Sequence, residues 1–168
     1  MLGKRKGRKN HGIQGMTFGA MDAIINVLGI MVGLGVIGDR VVVVVGLLVA
    51  GIANSLGNAA GFHVSEETEG IHTRREVWLS TVLSFAGTFT VTVALVLPLL
   101  FFGMSDAMIT SVLGGLAIIV LMGIFNGRHA GHGRREIISL IFEYVALAVA
   151  VIIVAYYLGL FASAMLGG

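Results

Sequence analysis

Apolar residues form five long runs along this chain, and polar residues collect between them. The runs cover residues 13–37, 41–63, 78–102, 105–126 and 137–162. Each is close to or above the ~20 residues that a helix needs to cross ~30 Å of hydrocarbon. The short joins between the first two runs and between the third and fourth permit only tight turns, which makes those neighbours antiparallel. The pattern predicts an all-α, integral membrane five-helix bundle, formed by a single domain over residues 1–168.

The composition agrees with a membrane protein. Of the 168 residues 57% are hydrophobic and 12% are charged, whereas an ordinary soluble domain has about 25% charged residues. The absence of cysteine excludes disulfides and thiolate metal sites. No nucleophile with a neighbouring base, phosphate-binding glycine loop or zinc-protease motif occurs, so we expect neither an enzyme nor a permanently bound cofactor.

The basic residues predict how the helices are oriented. With the amino terminus inside, the inner segments are 1–12, 64–77 and 127–136, and they hold all but Arg40 of the eleven lysines and arginines. The positive-inside rule then places the amino terminus in the cytoplasm and the carboxyl terminus on the opposite side. The basic arm at 1–12 favours anionic lipid headgroups over nucleic acid as its partner.

Polar side chains interrupt the first two spans at matching depths. Asp22 and Asn26 lie one turn apart on the first span, and Asn54 and Asn58 lie one turn apart on the second. Asp22 follows Ile13 by nine residues and Asn54 precedes His63 by nine, so antiparallel helices place both ~14 Å from the same boundary. A charged side chain at that depth costs roughly 2 to 3 kcal/mol, which predicts a function for Asp22. The asparagines are either further ligands or interhelical hydrogen bonds.

Small residues form a stripe on each of these spans. Such stripes let membrane helices approach closely, and two adjacent stripes exceed what one helix contact needs. We therefore expect a two-fold homodimer. The stripes consist of Gly12, Gly15, Gly19, Gly29 and Gly33 on the first span, and of Gly46, Ala50, Ala53, Gly57 and Ala60 on the second. Ser80, Ser84 and Thr88 form a polar face on the third span that is typical of helix packing, and Pro98 is expected to be structural.

Three further features carry candidate chemistry. In the predicted inner loop, the carboxylates of Glu66, Glu67 and Glu69 either collect divalent cations or are simply solvated. In the fifth span, Glu143 lies about two turns from Arg135, where it is either functional or reaches back to water. The glycine- and arginine-rich loop after the fourth span favours anionic lipid contact over metal binding.

Two motifs resemble the vacuolar iron transporter family. They are Phe18-Gly19-Ala20-Met21-Asp22 in the first span and Ala53-Asn54-Ser55-Leu56-Gly57-Asn58-Ala59-Ala60-Gly61 in the second. Five spans with an inner amino terminus are also similar. The resemblance implies a homodimer whose first two helices line a path for ferrous or manganous ions, exchanged for protons. Asp22 would be the membrane-embedded ligand and proton carrier.

The chain departs from that family at several positions. The usual residues are replaced by Ala23, Asn26, Asn58 and Phe62, and the long glutamate-rich metal-binding region is reduced to residues 65–77. Asn58 stands where the family has its pore methionine, so the remaining ligands are hard oxygens. Such ligands leave iron, manganese, magnesium and calcium all open.

The expected function is a divalent cation transporter that moves Fe²⁺ or Mn²⁺, its substrate, out of the cytoplasm by proton exchange. The membrane would be the cell membrane of a prokaryote or a vacuolar-type membrane of a eukaryote. The alternative is a non-transporting membrane interaction protein, and a channel would use the same residues without proton coupling. The candidate metal ligands are Asp22, Asn26, Asn54, Asn58, Glu66, Glu67, Glu69 and Glu143.

Overall fold

The computed structural model describes residues 11–166, and their helices confirm the all-α fold. The helices are α1 (His11–Gly35), α2 (Arg40–Glu69), α3 (Arg74–Val96), α4 (Pro98–Phe101), α5 (Met104–His129) and α6 (Arg134–Leu166). Within this described part, five spans are long and apolar enough to cross a membrane: Ile13–Gly35, Arg40–Glu69, Arg74–Phe101, Met104–His129 and Arg134–Leu166. The chain is a multi-pass membrane protein.

The helices run past the ends that hydropathy predicts, and the predicted loop at 64–77 is wrong in its extent. Helix α2 continues to Glu69 and α3 begins at Arg74, so the three candidate glutamates lie on a helix. Hydropathy marks the hydrocarbon layer, whereas backbone hydrogen bonding continues until a residue breaks it. That residue is Gly70, whose φ of +64° is left-handed and favours glycine. Gly131, with φ +76°, follows α5 in the same way.

Side chains cap the starts of α2 and α3. The Asp39 carboxylate accepts the backbone amides of Val41 and Val42 at 2.8 and 3.1 Å. Before α3, the Glu76 carboxylate accepts the Thr73 amide at 2.9 Å, and the Glu76 amide donates to the Thr73 hydroxyl at 3.4 Å. The second pair is a reciprocal capping box. Asp39 thus ends the short turn between α1 and α2, and the Thr73–Glu76 pair ends the short turn between α2 and α3.

Pro98 separates α3 from α4, because proline has no amide hydrogen to donate. Two side chains supply hydrogen bonds near the break. The Ser111 hydroxyl donates to the Leu95 carbonyl at 2.7 Å, and the Arg40 guanidinium donates to the Leu99 carbonyl. Arg40 is the one basic residue that the charge pattern leaves outside, and here it caps a helix break.

The described chain forms two compact units, and α1, α2 and α3 each contribute residues to both. The first unit contains residues 11–23 and Ala50–Val91, and the second contains Ile24–Val49 and residues 92–166. Small and polar residues make up most of the first interior: Ala20, Ala23, Ser55, Ala59, Glu66, Ser80, Ser84 and Thr88, together with Val77 and Val91. Bulky apolar residues fill the second: Ile24, Leu28, Met31, Leu47, Leu99 and Ile119. The polar interior of the first unit contains the candidate site.

Candidate functional site

Glycines bring α1 and α3 into backbone contact inside the first unit. A Cβ atom added to Gly15 would lie 2.8 Å from the Ser80 carbonyl oxygen, and one added to Gly19 would overlap the Ser84 carbonyl. Gly87 approaches the Met16 carbonyl in the same way. Only residues without a side chain permit this approach. The contact brings the buried face of α3 up to the helix that carries Asp22.

Asp22, Asn54, Asn58 and Thr88 form a hydrogen-bonded group that we call the Asp22 cluster. One carboxylate oxygen of Asp22, Oδ2, accepts the Nδ2 groups of Asn54 at 2.5 Å and of Asn58 at 2.7 Å. Asn58 Nδ2 also donates to the Thr88 hydroxyl at 3.1 Å. Asp22 and both asparagines are half-buried, whereas Thr88 is fully buried. The matched depth of Asp22 and Asn54 in the sequence corresponds to a direct contact.

Thr88 orients the Asn58 amide. The Thr88 hydroxyl donates its hydrogen to the Ser84 carbonyl at 3.0 Å, so towards Asn58 it acts as an acceptor. Both hydrogens of the Asn58 amide are then used, one on Asp22 and one on Thr88. Asn54 has no second hydrogen bond within the described residues. Its amide can therefore rotate without breaking a contact other than that to Asp22.

The cluster contains the oxygen donors that protons and hard cations use as ligands. As it stands, two amide N–H groups donate to one oxygen of the Asp22 carboxyl group. Rotating the Asn54 amide by 180° would replace its NH₂ group with a carbonyl oxygen next to the same carboxylate. Carboxylate and amide oxygens are ligands that divalent hard cations accept. In the structure the NH₂ groups of Asn54 and Asn58 face the carboxylate, so their oxygens are not arranged as metal ligands.

Among the described residues of the same unit, three buried polar atoms have no hydrogen bond. They are the hydroxyls of Ser80 and Ser84 and the Oε2 atom of Glu66. The serines were expected to hold helices together, but within the described residues only Thr88 of that polar face bonds to another helix. The sequence pattern assigned Thr88 to helix packing and did not place it in the candidate site, because serine and threonine are common in packed membrane helices.

Asn26 lies one turn beyond Asp22 on α1, in the second unit. It lines an apolar groove of about 660 Å³ between α1 and α6, together with Gly29 and Gly33. Those glycines contact Val151 and Ala155 of α6. The role of Asn26 as a metal ligand stays a prediction.

The other predicted ligands on α2 lie at its carboxyl-terminal end. Glu66 is buried, whereas Glu67 and Glu69 are exposed. The Glu69 carboxylate accepts His72 Nε2 at 3.1 Å. His63 Nδ1 lies 2.9 Å from the Thr81 hydroxyl, which donates to the Val77 carbonyl, so the imidazole acts as the donor. Over residues 11–166, no three histidine or carboxylate side chains converge as a metal site requires. Cation collection here stays a prediction.

Glu143 is exposed on α6, in the second unit. It follows Arg134, the first residue of α6, by nine positions, or ~14 Å of helix. A long carboxylate side chain at that depth can extend towards water. Its participation in metal binding is likewise untested by the structure.

The fold and the Asp22 cluster define a class of protein: a multi-pass helical membrane protein with a hydrogen-bonded carboxylate inside its spans. The chain matches no protein-family model, no curated protein and no solved structure. Its resemblance to the vacuolar iron transporters therefore depends on the two motifs alone.

Proposed function

We propose that the chain transports divalent metal cations across its membrane, with Asp22 as the ligand that the cation meets inside the bilayer. One observation carries the proposal: amides from two positions on α2 converge on a single carboxylate oxygen within a transmembrane span. Intramembrane carboxylates are costly and mark ion or proton pathways in membrane proteins. Simple helix packing needs no charge, since neutral side chains form the same interhelical hydrogen bonds.

The proposed mechanism is competition between a proton and a metal for one carboxylate. A protonated carboxyl is much less costly in hydrocarbon than a carboxylate, and a dication binds only the ionised form. Metal arrival would release the proton, and metal departure would favour its return. Asn54 rotates to present its carbonyl oxygen to the cation, while Asn58 keeps its bond to Thr88 and holds the carboxylate in place.

The substrate class follows from the donor set. Carboxylate and amide oxygens suit Mn²⁺, Fe²⁺, Mg²⁺ and Ca²⁺, and no soft sulfur ligand lies at Asn58 to favour iron. The basic residues orient the chain with its amino terminus inside. Transport would run outward from the cytoplasm, as in the family that the motifs resemble. A homodimer would supply the two-fold symmetry that a single five-span chain lacks.

A second candidate function, a non-transporting membrane interaction protein, has its own support. The amides of Asn54 and Asn58 both act as donors, which is the arrangement that interhelical hydrogen bonding alone would require. In this alternative, Asp22 only joins α1 to α2. Asp22→Asn removes the charge and keeps the shape of the side chain, so its effect on transport distinguishes the two functions.

Flux into liposomes tests the proposal. Purified protein would be reconstituted and offered Mn²⁺, Fe²⁺, Mg²⁺ and Ca²⁺ in turn, with an indicator inside the vesicles. We expect transport of at least one of these metals by the wild type, loss of transport by Asp22→Asn, and unchanged transport by Asp106→Asn. Asp106 is the matched control, an exposed acid in the first turn of α5.

A folded wild type that moves none of the four metals would favour the packing function. Robust transport by Asp22→Asn would exclude the aspartate and direct attention to Glu143 and the α2 glutamates.

A further inference from the structure

An amphipathic hollow lies at the carboxyl-terminal end of α5, in the second unit. It has a volume of about 580 Å³ and is lined by Leu121, Ile124 and Phe125, with Arg128 and His129 at its end. The Phe125 and His129 rings stack at 6.0 Å with an interplanar angle of 9°. Leu121 is 65% exposed and Phe125 49% exposed. One side of α5 therefore presents an apolar surface that ends in positive charge.

The packing of α5 against α6 keeps this side open. Gly123 and Gly127 are buried, and Ile141 and Ile137 of α6 occupy the space that their Cβ atoms would fill. Along a helix, positions two residues away point to the opposite side, so Leu121 and Phe125 face away from α6. The hollow is thus a consequence of the glycine contact on the other side of the helix.

The charge around the hollow is positive. Arg128, Arg134 and Arg135 lie in or beside the turn between α5 and α6, against one carboxylate, Glu136, which gives a net charge of +2. That carboxylate accepts the Gly133 amide at 2.9 Å. Within residues 11–166, no carboxylate pairs with the Arg128 guanidinium. Arg128 thus keeps its charge available to an anion from outside the protein.

We propose that this hollow binds one anionic phospholipid, with the phosphate at Arg128 and an acyl chain along Phe125, Ile124 and Leu121. Leu121 lies seven residues from Arg128, or ~10 Å along the helix, so the apolar part extends well below the charged part. A free phosphate would leave the three apolar side chains uncovered, whereas a phospholipid matches both ends. The site is more specific than the general attraction of basic segments to anionic membranes. It does not depend on metal transport.

Native mass spectrometry with matched lipids tests the site. Purified protein would be mixed with equal amounts of phosphatidylglycerol and phosphatidylcholine that carry the same acyl chains. We expect the wild type to retain phosphatidylglycerol preferentially, and Arg128→Gln to lower that preference by about tenfold, as the loss of a charge-assisted hydrogen bond would. The matched control is Arg75→Gln on α3, an exposed arginine outside the hollow, which should leave the preference unchanged. Phe125→Ala should weaken retention of both lipids equally.

Several outcomes would overturn the proposal. If the wild type shows no preference for phosphatidylglycerol, the hollow does not select an anionic lipid. If Arg128→Gln and Arg75→Gln lower the preference equally, the effect is general surface charge. Displacement of the lipid by inorganic phosphate at an equal concentration would show that only the phosphate is recognised. Arg128 and Phe125 are exposed, and a melting temperature within a few degrees of wild type confirms that both variants fold.

Discussion

The two hydrogens of the Asn58 side-chain amide go to two different helices, one to Asp22 on α1 and one to Thr88 on α3. A single side chain of α2 therefore connects three helices. The contact between Asp22 and the asparagines could be predicted from the sequence, because equal depth on antiparallel spans brings them together. The contact to Thr88 could not, since hydropathy does not tell which helix α3 packs against. The orientation of the amides also lies beyond the sequence.

Removing the hydroxyl of Thr88 should destabilise the protein, whereas removing that of Ser84, one turn away on α3, should not. Thr88→Val removes the acceptor of Asn58 and the donor to Ser84, so we expect a loss of ~1 kcal/mol in the free energy of unfolding. Ser84→Ala removes a buried hydroxyl that has no hydrogen-bond partner, so its stability should equal or exceed that of the wild type. Unfolding in mild detergent measures both. Equal destabilisation by the two substitutions would show that Ser84 does have a partner.

At the scale of the helices, the sequence predicts the membrane spans well and the helix ends poorly. Hydropathy located all five spans, but it placed Glu66, Glu67 and Glu69 in a loop that is helical. A signal for the true boundary was present: Gly70 followed by the capping pair Thr73 and Glu76. The sequence shows the glycine stripe of α1 but not which helices pack against it. The structure uses it inside the chain, against α3 and α6, so this stripe no longer argues for a dimer.

A pair of glycine substitutions tests the backbone contact between α1 and α3. Gly19→Ala would force a methyl group against the Ser84 carbonyl and the Thr88 hydroxyl, so we expect roughly 1 to 3 kcal/mol of destabilisation. Gly61→Ala is the control, because this helical glycine of α2 has no atom near its added Cβ. There alanine should leave stability unchanged or raise it by up to ~1 kcal/mol. Thermal unfolding of the two variants gives the comparison, and a neutral Gly19→Ala would refute the close approach.

At the scale of the whole molecule, a small-residue surface remains for a second copy of the chain. Ala53, Gly57 and Ala60 of α2 are exposed, and no atom lies within 4 Å of a Cβ added to Gly57. The part of the second stripe from Ala53 to Ala60 is therefore uncovered, whereas Gly46 packs against Leu34 of α1. A dimer, if formed through small residues, should use α2.

Disulfide crosslinking tests this interface, and the absence of native cysteine makes each introduced thiol the only one. Gly57→Cys should form dimers on mild oxidation in membranes, because a two-fold axis along α2 brings the two thiols together. Leu113→Cys, on an exposed face of α5, should remain monomeric. Gel mobility without reductant separates the two results. Crosslinking of the α5 variant alone would place the interface elsewhere.

Mn²⁺ binding to the purified protein across a pH series shows whether Asp22 exchanges a proton for a divalent cation. For the wild type we expect the apparent affinity to rise with pH, by up to about tenfold per pH unit where one proton is released per cation. Asn54→Ala should bind more weakly with the same pH dependence, because an amide does not titrate. Asp22→Asn should bind no Mn²⁺ at any pH. Binding by Asp22→Asn with the affinity and pH dependence of the wild type would contradict the account.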